Sequence, residues 1–426
     1  MLRQFTTISD FTRNVLTLIT GTSLAQAIPI AISPILTRLY TPAEFGIFAL
    51  YMSIASLVSI VATARYELAI VVPRNEADAV NILSLSLVIA ILVSIICVII
   101  VLLFNKTIAR SLGNPEIENW LYFIPLTVLL TGINQSFSLW FNRKKRYKGL
   151  AISRVSGRGI TAASNVGMGY GGVGASGLII GGLFGLFSAN IFLGIRLLKE
   201  DRSKFEAVTR HMMVALARKY SSFLKFNAAQ AFTDMIRENG ITILIQAFFS
   251  SSILGFYFLA VRIVKNPLTI IGSSISQVFY REIAERTNSK TPLYPILKSI
   301  LVKLLLISIP IFGGLYWAAP ILFGFIFGES WTMSGKFVQA LIPWFFMNFI
   351  ISPVTTVPIV LNRQGTFLII GVIYAAITLM SIYTLWKLNF DAITLISILS
   401  VILSLYMLLT LVWIVKISRA GVINDI

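Results

Sequence analysis

The segment "NILSLSLVIAILVSIICVIIVLLF", from Asn81 to Phe104, contains no charged residue. About 20 apolar residues in a helix are enough to cross the hydrocarbon core of a bilayer. Similar segments recur along all 426 residues, of which 57% are hydrophobic and only 12% are charged. An ordinary soluble domain carries about 25% charged residues. The sequence therefore predicts an all-α integral membrane protein.

Twelve segments have the length and composition of membrane spans, although the fifth is polar and rich in glycine. They lie near residues 15–37, 45–64, 81–104, 119–140, 155–173, 176–196, 224–248, 253–279, 299–327, 337–361, 366–386 and 392–415. The longest hydrophilic stretch, 199–219, divides them six and six. We predict an N-terminal six-helix bundle (1–198), a cytoplasmic linker (199–219) and a C-terminal six-helix bundle (220–426).

The basic residues are unequally distributed between the two sides of the predicted membrane. Of the 35 Lys and Arg residues, 25 fall in the termini and loops of one side and 5 in those of the other. The larger group includes "NRKKRYKG" (142–149), Arg154 and Arg158. Because Lys and Arg gather in cytoplasmic loops, we predict that both termini are cytoplasmic. Topology thus explains most of the net charge of +18, and we expect no nucleic-acid partner because no soluble domain could carry a basic face.

Polar and charged residues form two stripes in the second half of the chain. Residues three or four apart share a face of a helix. One stripe, within "NAAQAFTDMIRENGITILIQAFF", contains Asn227, Gln230, Asp234, Arg237, Glu238 and Thr242; the other, in span eight, contains Arg262, Lys265, Asn266, Ser273, Ser276 and Gln277. A charge at the bilayer centre costs roughly 2.5–3.5 kcal/mol, so neither stripe is expected to face lipid.

Two interpretations of these stripes stay open. Asp234, Arg237 and Glu238 could form an ion-pair network that locks their helix into the bundle. Alternatively, the stripes line a wet, slightly positive cavity whose cations contact an anionic group such as a phosphate.

Other motifs give no catalytic, cofactor or metal site. "GYGGVG" (169–174) fits the dinucleotide pattern G-x-G-x-x-G but follows no strand, and close helix packing explains its small residues better. "GESWTMSGKF" (328–337) lacks the P-loop spacing. The single cysteine, Cys97, excludes a disulfide framework, and the single histidine, His211, lies in a basic loop. We therefore expect no cofactor and no metal.

Two stretches carry a resemblance to a known family. They are "LTRLYTPAEFGIFALYMSIASLVSIVATARYELAIVVPRNEADAVNIL" (36–83), in which "RYELAIVVP" is most specific, and "GFYFLAVRIVKNPLTIIGSSISQVFYREIAE" (255–285). Both resemble bacterial polysaccharide-biosynthesis membrane proteins. These are the O-antigen and capsule repeat-unit flippases (Wzx-type) of the multidrug/oligosaccharidyl-lipid/polysaccharide exporter superfamily. The matches lie in spans one to eight, whereas the last four spans match only in number and hydrophobicity.

The resemblance implies a MATE-like transporter of two six-helix bundles in a V, which opens alternately to either side of the bacterial inner membrane. The implied substrate is an undecaprenyl-diphosphate-linked oligosaccharide, moved from the cytoplasmic to the periplasmic leaflet for O-antigen (lipopolysaccharide) or capsule biosynthesis. Membrane lipids, a polysaccharide polymerase and chain-length machinery are the other implied partners.

The resemblance also suggests roles for the two stripes. Phosphate contacts are expected from Arg237, Arg262 and Lys265, and a polar cavity lining from Asn227, Gln230, Asn266 and Gln277. Asp234 and Glu238 are expected to pair with the cations or to carry a coupling ion.

Two alternative functions remain. A cation-coupled drug or small-molecule antiporter of the same superfamily would need an acidic cavity without the basic excess. A membrane-embedded polysaccharide polymerase or glycosyltransferase would need a large outward loop or paired acids there, and most of the outward loops are short. We therefore expect a transporter and not an enzyme.

Overall fold

The computed structural model describes residues 10–221, 228–289 and 291–420, and these residues form helices and no β-strand. The chain divides into two compact units, with the boundary between Asn239 and Gly240. The first unit contains α1 (Asp10–Ala31), α2 (Ser33–Leu39), α3 (Pro42–Ser59), α4 (Glu76–Ser111), α5 (Glu118–Leu121), α6 (Ile124–Arg143), α7 (Tyr147–Tyr170), α8 (Ala175–Asp201) and α9 (Arg210–Lys219). Helix α10 (Ala228–Phe248) runs across the boundary. The second unit contains α11 (Ser251–Asn288), α12 (Tyr294–Phe327), α13 (Thr332–Ile351), α14 (Val357–Val360), α15 (Gln364–Lys387) and α16 (Ala392–Ala420).

Twelve of the helices in the described residues are 18 residues or longer, and they correspond to the twelve predicted spans. The prediction of an all-α membrane protein is confirmed. Eight of them contain a stretch that is long and apolar enough to cross a membrane. The other four, α1, α6, α7 and α10, are more polar, and α7 and α10 carry charged residues in their middle turns.

Short polar residues set where several spans begin. Helix α3 starts with a capping box, in which Thr41 accepts a hydrogen bond from the Glu44 amide (3.3 Å) and the Glu44 carboxylate accepts one from the Thr41 amide (2.7 Å). Asn75 caps α4 through the Ala77 amide (3.0 Å), and Ser250 caps α11 through the Ile253 amide (3.4 Å). Each cap satisfies a backbone donor that the first turn leaves without a partner.

Two predicted spans are interrupted rather than continuous. The first, 15–37, is divided between α1 and α2, and Pro34 lies in the first turn of α2. The tenth, 337–361, consists of α13, a 3-10 turn (Ser352–Val354) and α14. Proline fits the first turn of a helix but lacks the N–H that a helix interior needs. A new helix therefore starts near the proline in both places.

A proline inside α12 is compensated by a neighbouring helix. Pro320 has no N–H to donate to the carbonyl of Tyr316, four residues earlier. The side-chain amide of Gln339, on α13, donates to that carbonyl instead, at 2.7 Å. This hydrogen bond joins α12 to α13 next to Pro320.

Glycine allows α7 and α8 to pack closely. The turn between them contains Gly172 and Gly174, whose φ angles of +66° and +68° favour glycine. A Cβ added at Gly181 would overlap the side chain of Asn165, and one at Gly185 would overlap Thr161. The small residues of this region therefore serve helix packing, as predicted.

The stretch 199–219 is folded against the first unit. It comprises the end of α8, a 3-10 helix (Arg202–Ala207) and α9. Leu216 of α9 is buried in the same apolar cluster as Val80 and Leu197. This stretch is therefore part of the first unit's core, whereas the division of the chain into two six-helix bundles stays a prediction.

Candidate functional site

Two arginines lie in the middle of α7. Arg154 and Arg158 are four residues apart and share a face, roughly 10 and 16 Å along the helix from Tyr147. Both side chains are exposed. The exposed apolar residues of the same helix, such as Ile152 and Ile160, project from roughly the opposite side. One side of α7 is therefore suited to lipid and the other carries two cations.

Helices α1 and α8 pack against α7 on either flank of the arginine face. On one flank, a Cβ at Gly21 of α1 would overlap Ala151 of α7, so the two helices touch there. On the other, Ser153 donates a hydrogen bond to the carbonyl of Ala189 on α8 (3.2 Å). Arg154 donates to the hydroxyl of Thr22 on α1 at 2.6 Å. The Arg154 guanidinium therefore contacts α1, and Arg158 lies one turn further along the same face of α7.

The assignment of these two arginines to a loop was wrong, whereas the side of the membrane on which they lie stays a prediction. The sequence count assigned Arg154 and Arg158 to a cytoplasmic loop, but α7 begins at Tyr147, before both of them. The four-residue spacing inside a glycine-rich span was the available signal, because such a pair lies on one helix face. Removing both residues from the count leaves the charge asymmetry intact.

The predicted residues of span eight share one face of α11. Arg262, Lys265 and Asn266 are half-buried, whereas Gln277 is exposed. The Arg262 guanidinium lies 5.9 Å from the ring centre of Phe258, and the Lys265 ammonium lies 5.9 Å from that of Trp344 on α13. Both distances are within the range of cation–π attraction. Aromatic rings therefore accompany both cations in the second unit.

The predicted residues of span seven lie in the first half and the middle of α10 or just before it. Gln230, Asp234 and Arg237 are in the first half of α10, where the helix register puts them on one side, and Glu238 is exposed. The side chains of the first three lie outside the described residues, as does Asn227 entirely. Their ion pairing and cavity contacts stay predictions.

The "RYELAIV" part of the family motif forms a tight connection between α3 and α4. Ala64 and Arg65 both have positive φ, and residues Tyr66–Val71 form a 3-10 helix. Glu67 is buried, accepts a hydrogen bond from the Thr63 hydroxyl and lies 3.7 Å from Arg65. A buried carboxylate needs such partners, which explains why these polar residues stand together in the motif.

A second network joins the ends of α4, α6 and α8. The buried Asp201 carboxylate accepts hydrogen bonds from Trp140 (3.0 Å) and Arg146 (2.5 Å), and it pairs with Lys204 (2.9 Å). Lys204 also pairs with Glu76 (2.8 Å), which Lys144 contacts as well. Arg143 donates to the carbonyls of Ile70 and Pro73. The basic segment 142–149 is therefore bound to specific partners, in addition to its predicted role as a topology signal.

This network changes the acidity of two carboxyl groups that lie outside the predicted spans 81–104 and 176–196. Burial raises the pKa of Asp201, but hydrogen bonds from Arg146, Lys204 and Trp140 outweigh burial and lower that pKa to about 2. Hydrogen bonds from Lys144 and Lys204 lower the pKa of Glu76 to about 2. Both carboxylates are therefore ionised at neutral pH.

Among the described residues, no group of three or more His, Cys, Asp or Glu side chains could hold a metal ion. The cations at the candidate site are arginine and lysine side chains. Arginine presents several N–H donors in a planar fork that matches phosphate or carboxylate oxygens.

Solved membrane transporters share this fold. One is described as the lipid II flippase MurJ in an inward closed conformation, with a TM-score of 0.71 and 12% identity over 96% of this chain and 91% of that chain. Another is an inward-facing multidrug resistance MATE family transporter of the MOP superfamily, with a TM-score of 0.56 and 12% identity over 96% of each chain. A third is a MOP superfamily transporter from Pyrococcus furiosus, described as having a binding pocket of reverse polarity, with a TM-score of 0.51 and 12% identity over 95% of this chain and 94% of that chain. At these identities the likeness establishes the fold.

The fold therefore places the chain in the structural class of the MurJ and MATE membrane transporters. A family model described as "Polysaccharide biosynthesis protein" matches residues 35–336. The chain belongs to this family, which confirms the resemblance found in its motifs. Comparison with curated proteins gives no match.

Proposed function

We propose that this protein is a flippase for an undecaprenyl-diphosphate-linked oligosaccharide in the bacterial cytoplasmic membrane. By alternating access, it would carry the lipid-linked repeat unit from the cytoplasmic to the periplasmic leaflet, for O-antigen, capsule or a related surface polysaccharide. The catalytic chemistry would belong to other proteins, including a polymerase that uses the translocated unit. Membership in a polysaccharide biosynthesis family supports the substrate class.

The arginine pair on α7 carries this proposal. Arg154 and Arg158 place two permanent positive charges in a helix whose opposite side is apolar. Leaving them against acyl chains would be costly, so a polar ligand or water must meet them. A diphosphate is doubly anionic and is recognised by arginine through paired, charge-assisted hydrogen bonds. Arg262 and Lys265 of α11, and Arg237 of α10, supply further cations, with Asp234 and Glu238 as their partners in the unloaded protein or as ion-coupling groups.

A genetic experiment tests the proposal. Deleting the gene should remove the surface polysaccharide and make lipid-linked repeat units accumulate on the cytoplasmic side. A plasmid copy with Arg158→Gln should restore little polysaccharide, because losing a hydrogen bond to a charged group costs about 1.5–3 kcal/mol, or about tenfold or more. The matched control is Lys148→Gln, which removes one exposed basic charge at the beginning of α7 and should restore polysaccharide fully.

The site of accumulation separates the alternatives. Loss of a polymerase would leave single repeat units on the outer leaflet, and loss of a drug antiporter would change drug susceptibility while leaving polysaccharide unchanged. Full restoration by an Arg158→Gln/Arg262→Gln double variant, expressed at the normal level, would exclude the proposed cationic contacts.

A further inference from the structure

Helix α9 is held in a fixed orientation on the first unit. The Tyr66 hydroxyl donates to the carbonyl of Ala217 at 2.9 Å. The buried side chain of Asn81 donates to the carbonyl of Ala207 (2.9 Å) and accepts from the amide of Thr209 (3.0 Å), just before α9. Together with the burial of Leu216, these bonds determine which side of α9 faces outward.

Helix α9 packs against the ends of predicted membrane spans. Leu216 packs in a cluster with Val80, Phe141 and Leu197. These residues lie where the predicted spans 81–104, 119–140 and 176–196 end. We therefore expect helix α9 to lie near the level of the lipid headgroups, on the side that the basic residues predict to be cytoplasmic.

The outward side of α9 combines basic and apolar residues. Arg210, Val214 and Arg218 are spaced four residues apart, form one line and are all exposed. Val214 is 46% exposed although it is apolar. Basic residues close to a membrane surface are attracted to anionic lipid headgroups, and an exposed apolar side chain between them can contact the layer beneath the headgroups.

Other basic residues near α9 are bound to partners within the first unit. Arg143, Lys144, Arg146 and Lys204 bind carboxylates or carbonyls inside the unit. We propose that Arg210 and Arg218 of α9 instead bind the phosphate groups of anionic phospholipids in the adjacent leaflet, while Val214 contacts the region beneath the headgroups. This inference does not depend on the proposed transport function.

The test measures binding of fluorescent phosphatidylglycerol and phosphatidylcholine to the purified full-length protein in a neutral detergent. Each basic residue near an anionic surface contributes about 1 kcal/mol. An Arg210→Gln/Arg218→Gln variant should therefore bind phosphatidylglycerol roughly thirty-fold more weakly. The matched control is Lys106→Gln/Arg110→Gln, which removes two exposed basic residues at the far end of α4 and should bind as the wild type does.

The melting temperature without lipid is the control for folding. Because both arginines are exposed, the α9 variant should melt at the same temperature as the wild type. A Val214→Ser variant should also bind more weakly, which a purely electrostatic surface would not show. Equal binding of the two lipids, or equal losses in the α9 and α4 variants, would overturn the proposal. Unchanged phosphatidylglycerol binding in the α9 variant would also overturn the proposal. The basic face would then be better explained as a binding surface for a soluble acidic partner.

Discussion

The buried Asp201 carboxylate joins several segments at one end of the first unit. Its side chain is fully buried, yet its oxygens meet donors from α6, from the connection between α6 and α7, and from the 3-10 helix after α8. Breaking a buried, hydrogen-bonded ion pair by removing one partner typically costs 3–5 kcal/mol, because the remaining charges lose their partner. Arg146 and Lys204 are partly exposed, so water would reduce the cost here.

We expect Asp201→Asn to lower the melting temperature of the detergent-solubilised protein at pH 7. The asparagine can still accept a hydrogen bond but cannot balance Arg146 and Lys204. Glu206→Gln is the control, because Glu206 is exposed and its loss should leave the melting temperature unchanged. Equal melting temperatures for Asp201→Asn and wild type would show that Asp201 has no such role.

The same residue predicts how stability depends on pH. The pKa of Asp201 is about 2 in the folded protein, against about 3.9 in an unfolded chain. A lowered folded pKa means that the stabilisation is complete above the unfolded value and is lost as the pH falls toward the folded one. The difference in melting temperature between wild type and Asp201→Asn should therefore be constant from pH 7 to about 5 and shrink between about pH 4 and 2.

At the scale of single elements, sequence patterns predicted the positions of the helices better than they predicted the contacts of the polar residues on those helices. Apolar segments of about 20 residues indicated twelve spans because length and hydrophobicity are local properties. The beginning of α7 was missed because its first turns carry Lys148 and Arg154 and resemble a loop. No local pattern shows that Arg154 will meet Thr22 on α1, since that contact depends on how two distant segments pack.

Helix packing between α7 and α8 gives a prediction with a neighbouring control. We expect Gly181→Leu to reduce folding yield and melting temperature strongly, because the added side chain would overlap Asn165. Gly182→Leu should be tolerated, since a Cβ at Gly182 has no atom within 4 Å. Expression and thermal melting of the two variants test this directly, and similar behaviour of both would contradict the close packing.

The hydrogen bond that replaces the missing Pro320 donor in α12 gives a prediction that a double variant can test. Gln339→Leu should destabilise the protein by about 1–3 kcal/mol, because it leaves the Tyr316 carbonyl without a donor. Pro320→Ala would restore the backbone donor to that carbonyl. Gln339→Leu should therefore cost much less in a Pro320→Ala background, as measured by thermal melting. An equal cost in both backgrounds would mean that Gln339 acts through another contact.

At the scale of the whole molecule, the charged residues that stabilise the fold and those proposed for transport differ in their surroundings. Asp201 and Glu76 are held by several donors within the first unit, which makes them fixed structural ions. Arg154 and Arg158 are exposed on a helix among apolar neighbours. Charge counts from the sequence cannot separate these two kinds of residue, although they predict which side of the membrane each loop occupies.

That orientation is itself a prediction for the whole chain. Lys and Arg concentrate in cytoplasmic loops, so one side should hold Arg210 and Arg363 and the other Lys106 and Lys387. All four side chains are exposed, and each unit contributes one to each side. Single replacements of these residues by cysteine can be probed with a membrane-impermeant maleimide, against a low background because Cys97 is buried. We expect Lys106→Cys and Lys387→Cys to be labelled in intact spheroplasts, and Arg210→Cys and Arg363→Cys only after the membrane is opened. Labelling of Arg210→Cys or Arg363→Cys from outside would reverse the proposed direction of transport and place α9 against the outer leaflet.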